Sequence, residues 1–95
     1  MYSLQATKDF EKSYKKIKRS GKITRNVQDD LDKVVNLLIE GGALPNKFKD
    51  HQLKGLLQDY RECHIRHDLL LVYKIIDDEL ALVLLDIGSH SQLFK

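Results

Sequence analysis

The chain has no tryptophan and only one cysteine among its 95 residues. A lone cysteine, Cys63, excludes an internal disulfide, a cysteine-rich metal site and a C-x-x-C pair. That fits a reducing compartment. No stretch approaches the ~20 apolar residues that a membrane-spanning helix needs. The longest apolar run, residues 80–85, has the length of a buried strand. Residues 1–6 carry no apolar run of the signal-peptide kind. A cytoplasmic protein with no membrane partner is expected. Disorder does not fit a composition that is 42% hydrophobic and 32% charged. The length suits one domain, residues 1–95, able to bury roughly 60–65% of its unfolded surface.

Charge is small in sum and uneven in distribution. The net value is +2. Residues 1–25 nevertheless hold Lys8, Lys12, Lys15, Lys16, Lys18, Arg19, Lys22 and Arg25 against only Asp9 and Glu11. Such a lobe suits phosphate or an acidic partner. It equally suits a solvated helix face.

Residues 2–6 form a weak strand pattern. Thr7 is a good N-cap, with Asp9 in the first turn. Phe10, Tyr14 and Ile17 then recur at helical spacing until Ser20-Gly21 stops them. A second helix is expected over 24–40, with Val27, Leu31, Val34, Val35, Leu38 and Ile39 on one stripe. Gly41-Gly42 and Pro45 end it. The two helices should pack as a hairpin. Residues 44–55 show no period and read as a basic loop containing His51. Alternation over 57–65 and apolar runs over 69–76 and 79–87 read as three strands. Asp77-Asp78 forms a turn between the last two. Gly88-Ser89 ends the third, and residues 91–94 form a short final turn. The order β-α-α-β-β-β gives an α+β fold, an antiparallel sheet with the helix pair on one face.

That topology gathers histidines. The three last strands run out, back and out again. His64 at the end of the first, Asp68 at the start of the second and His90 after the third project from one end of the sheet. The outer two strands lie about 10 Å apart. His51 sits six residues before a strand starting at 57. A loop running back over at most ~20 Å returns it to the same end. Two imidazoles and a carboxylate in basic surroundings suit phosphodiester chemistry on RNA. One imidazole takes the 2′-hydroxyl proton and another donates to the leaving oxygen. Lys54 and Arg61 are candidates to offset charge on the phosphorane. Arg61, however, shares a face with Cys63 and Ile65, which also fits a structural ion pair with Glu62 or Asp59.

Plainer readings compete. Cys63 reads as a small buried hydrophobe. His67 faces away from His64 and reads as a turn residue. Asp68 also suits a turn, and Phe94 a plug at the sheet's end. His64-x-x-His67-Asp68 hints at a metal, but a strand and turn do not present such ligands as a helix does.

Four ordered blocks carry a family resemblance. They are Lys49-Asp50-His51-x-Leu53-x-Gly55, Tyr60-Arg61-Glu62-Cys63-His64-Ile65-x-x-Asp68, Leu71-Val72-Tyr73-Lys74 and Gly88-Ser89-His90-Ser91-x-Leu93-Phe94. Together with the element order, they resemble the YafQ family of type II toxins, within the RelE/ParE superfamily. The resemblance implies a RelE-like fold and a ribosome-dependent mRNA endoribonuclease cutting in the A site. It implies neutralisation by a cognate antitoxin. It maps functional positions onto His51, His64, Asp68, His90 and Phe94, with Phe94 contacting RNA. No metal and no cofactor are expected. Leu69 stands where some members have tryptophan, so stacking there is lost. Two other functions share these features. One is a ParE-like toxin that blocks DNA gyrase by binding, and the other is a non-catalytic RNA-binding module.

Overall fold

The computed structural model describes residues 1–94 and contains eight helices and strands among them. They are β1 (Ser3–Ala6), α1 (Lys8–Arg19), α2 (Arg25–Ile39), β2 (His51–Gln52), β3 (Arg61–Arg66), β4 (Leu69–Ile76), β5 (Ala81–Gly88) and α3 (His90–Leu93). The strands form one sheet in the order β1-β5-β4-β3-β2. The expected meander is present: β3, β4 and β5 pair antiparallel. β1 joins it parallel to β5.

Both long helices begin where the sequence sets a cap. Thr7 Oγ1 accepts from the Phe10 amide, and Thr24 Oγ1 from that of Val27. Each satisfies an amide the first helical turn leaves unpaired, typically for about 1 kcal/mol. α1 lies on β5 and α2 on β3, so both cover the same face of the sheet. They are linked through the Tyr14 hydroxyl, which donates to Gln28. Phe10 and Ile17 of α1 and Leu31, Val34 and Leu38 of α2 meet Cys63, Ile65, Leu71, Tyr73, Leu82, Leu84 and Ile87 of the sheet. This is the core.

The other face of the sheet carries the histidines. One register irregularity and one close packing contact decide what stands there. A bulge on β3 between His64 and Arg66 moves the register by one residue. Without it, Arg66 would share the histidine face with His64. With it, Arg66 pairs with Leu69 and its Nε reaches Asp30 of α2 at 2.5 Å. At the other side of the sheet, α3 folds close over Gly88. A Cβ there would lie 2.9 Å from Gln92 Oε1 and 3.6 Å from Leu93.

The strand expected over 57–65 is shorter. Residues 55–57 form a 3₁₀ turn, and the ladder begins only at Arg61. The segment expected as loop holds a 3₁₀ turn, Asn46–Phe48, and the edge strand β2. Fully exposed alternation in β2 left no apolar signal to find. The Asp77-Asp78 turn is a 3₁₀ turn, Asp77–Glu79, closed by Leu80 in the left-handed region. Among the described residues no helix is long and apolar enough to cross a membrane.

Candidate active site

β2 and β3 form a hairpin that sets His51 opposite Glu62. Cross-strand partners share a face, and so do residues two apart on one strand. His51, Glu62 and His64 therefore stand together on the face away from the helices. Glu62 is only 5% exposed. Its Oε1 lies 3.6 Å from His51 Nε2 and 3.5 Å from His64 Nε2. The two imidazole rings are 6.5 Å apart, centre to centre. His51 Nδ1 is 2.8 Å from the Lys49 carbonyl oxygen. A carbonyl only accepts, so Nδ1 carries a hydrogen. One buried carboxylate thus serves two imidazole edges, and His51 has both nitrogens engaged.

His51 reaches His64 by this hairpin rather than by a loop running back along the strand. What fixes the hairpin lies on its other face. Asp50 precedes His51, and Arg61 precedes Glu62. Arg61 Nη2 donates to Asp50 Oδ2 at 2.8 Å and Arg61 Nε to the Tyr73 hydroxyl at 3.3 Å. The Tyr73 hydroxyl in turn donates to Asp50. Tyr73 is 1% exposed. Burial, then the bond to Asp50, push its pKa well up, so it stays a donor. The Asp50 bond likewise raises the Arg61 pKa. Arg61 is therefore committed to the helix side of the sheet. Its observed role is to hold Asp50, and its acidic partner is neither Glu62 nor Asp59.

The second half of the site comes from β4 and the C-terminal helix. Asp68 Oδ1 accepts from the His90 backbone amide at 3.2 Å. Ser89 and Gln92 form a reciprocal capping box that shapes α3. The His90 and Phe94 rings are 5.3 Å apart. His90 is exposed and makes no side-chain hydrogen bond among the described residues. His64, Leu70 and Gly88 are in register across β3, β4 and β5, as are Glu62, Val72 and Asp86. The two halves thus face each other over two strand spacings, about 10 Å. Leu70 and Val72 lie buried between them.

A sequence profile of the family described as bacterial toxin of type II toxin–antitoxin system, YafQ, matches residues 2–95. The chain belongs to the YafQ family. A YafQ relative from Escherichia coli strain K12, named mRNA interferase toxin, is 34% identical over 94 residues, 98% of this chain and 91% of that protein. A metal-bound toxin from Helicobacter pylori has 44% identity and a TM-score of 0.88, covering 99% of this chain and 100% of that one. The E. coli DinJ–YafQ complex matches at 27% identity and a TM-score of 0.85, covering 100% of both chains.

Within this YafQ-family chain the structure brings His51 and His64 together around Glu62, and Asp68, His90 and Phe94 together on the opposite bank. Lys54 is exposed in the connection beyond β2. Glu62 escaped the sequence reading as a site residue. Its alternation put it on the His64 face, but only the unseen β2 shows that a second histidine lies across from it. Among the described residues, no group of three or more His, Cys, Asp or Glu is arranged to hold a metal ion.

Proposed function

We propose that this toxin is an mRNA endoribonuclease acting in the ribosomal A site, and that a cognate antitoxin neutralises it. The observation that carries the chemistry is the buried Glu62 carboxylate shared by two imidazoles, on a strand whose His64 stands in register with Gly88, about 10 Å away across β4, where the chain turns into the helix that begins at the exposed His90. In the reaction, one imidazole removes the 2′-hydroxyl proton. The 2′-oxygen then bonds to phosphorus and the bond to the 5′-oxygen breaks. A second imidazole protonates that leaving oxygen. His64 and His90 are the proton-transfer pair. His51 holds Glu62 in place, Asp68 holds the turn into α3, and Phe94 stacks on a base. Lys54 contacts the RNA further along. No step uses a metal or a cofactor. The relatives support the reading: one is named an mRNA interferase and another was solved with the protein DinJ.

The test is cleavage of mRNA on programmed ribosomes. His64→Ala and His90→Ala should each slow cleavage by about 10²–10⁴-fold. Circular-dichroism melts should stay within a few degrees of wild type, since neither side chain is part of the core. A folded His90→Ala toxin that cleaves at the normal rate removes His90 from the chemistry. Gyrase inhibition that survives loss of all four histidines would instead support the ParE-like reading.

A further inference from the structure

A basic groove opens beside His64 that no step of the chemistry above employs. It encloses about 390 Å³ and is lined by Lys47, Phe48, Lys49, Arg66 and His67 together with His64. That is the size of a small-molecule subsite. It exists because β2 is so short. β2 covers β3 only at Arg61 and Glu62, so the edge of β3 beyond them is bare of strand. The 3₁₀ turn Asn46–Phe48 packs there instead, anchored by Phe48 at 2% exposure. The bulge at Ile65 then delivers Arg66 to the same edge.

We infer that this groove binds a backbone phosphate of the RNA next to the one being cut. The inference rests on the endoribonuclease reading and extends it to a flanking nucleotide. Three features favour an anion. The groove's one acid, Asp30, is taken by Arg66 at 2.5 Å. Lys47 and Lys49 are therefore its uncompensated charges, with Lys47 Nζ held 5.0 Å above the Phe48 ring. The Phe48 ring itself is buried under that lysine, so it offers no open platform for a base, and the groove's charge suits the sugar–phosphate chain. Lys49 adds the third feature. Its backbone is left-handed, φ 49° and ψ 42°. Glycine adopts that conformation at lower cost, yet the position holds a long cation beside the catalytic imidazole. His64 lines the groove and also contacts Glu62, so RNA engaged at His64 continues directly into it.

The experiment is a cycle on ribosome-bound mRNA in which each phosphate flanking the scissile one is replaced in turn by a neutral methylphosphonate. Cleavage is measured at subsaturating toxin. Wild type should lose about tenfold at one flanking position. K47A/K49A should lose about as much on unmodified mRNA, and little more at that position. Losses that simply multiply, or a double variant as active as wild type, overturn the groove as a phosphate site. Lys49→Gly separates the amine from folding. It relieves the backbone, so it should melt no lower than wild type while cleaving more slowly. If wild type cleaves nothing, the endoribonuclease reading fails by itself. The groove is then judged by binding of single-stranded RNA, where K47A/K49A should flatten the salt slope by about 0.7, the value for one phosphate. An unchanged slope overturns it. So does a K47A/K49A toxin that keeps its RNA response but releases an acidic protein partner.

Discussion

Glu62 holds a carboxylate largely out of water, at 5% exposure, and such a group is costly unless its oxygens are matched. Here the match is two imidazole edges on one oxygen. Glu62→Gln keeps the shape and removes the charge. Cleavage should fall by about 10–100-fold, with the melt little changed, because the effect works through how His64 is held. Single-turnover cleavage against pH checks it. An unaltered rate and profile would return Glu62 to a purely structural place. The neighbouring Cys63 carries a different prediction. Burial pushes its thiol pKa up to about 12. In the unfolded chain a thiol ionises near ~8.5. Above that pH the unfolded state holds fewer protons than the fold, so stability falls as pH rises toward 12 and is unaffected below ~8.5. At pH 10 the loss through Cys63 is about 2 kcal/mol. Urea unfolding at pH 7 and pH 10 should show a smaller alkaline loss in Cys63→Ala than in wild type. Cys63 as a buried hydrophobe was legible from alternation alone. The role of Glu62 was not, since alternation names a face but not what lies across it.

At the scale of elements, the sequence showed best what it marks twice. Both long helices carry a threonine cap and a periodic stripe, and both lie where those signals set them. The run over 69–76 matches β4 residue for residue. β2 carries neither mark. It has two residues, both exposed, and its place is set by contacts from elsewhere. Those contacts are the Asp50–Arg61–Tyr73 bonds, which join β2, β3 and β4 on the face opposite the histidines. Tyr73→Phe removes one hydroxyl and leaves Asp50 with a single partner there. Stability should drop by about 1–3 kcal/mol. Cleavage at a temperature where the variant is fully folded should also drop, about tenfold, because the hairpin holding His51 loosens. A variant that loses stability and no activity would show that the hairpin is held by other means. The β3 bulge was equally invisible. Over 61–66 the residues alternate without interruption, and nothing in the string marks Ile65 as the extra residue.

Across the whole molecule the two faces of the sheet divide the labour. One face is sealed by α1 and α2 and supplies the core. Among the described residues the other has only α3 and the β2–β3 connection above it. His64, Asp68 and His90 were placed at one end of the sheet from topology alone, because strand direction fixes which termini meet; His51 and Glu62 were not. Their grouping into two banks was not legible, since it depends on a hairpin and a four-residue helix that pattern analysis cannot resolve. The basic lobe of α1 lies at the surface, where its charge favours approach of an acidic surface. There remains the brevity of β2. Two ladder pairs, the Leu53 amide on the Tyr60 carbonyl, the His51–Glu62 contact and one polar knot bind the His51 strand to the sheet, beside a fully exposed Leu56 in the connection that follows. Regions so lightly held open without the rest of the protein. The amides of β2 should therefore exchange with solvent far faster than those of β4. Mild urea should silence the enzyme well before the core unfolds. Coincident loss of activity and far-ultraviolet signal would show instead that catalysis and fold share one transition.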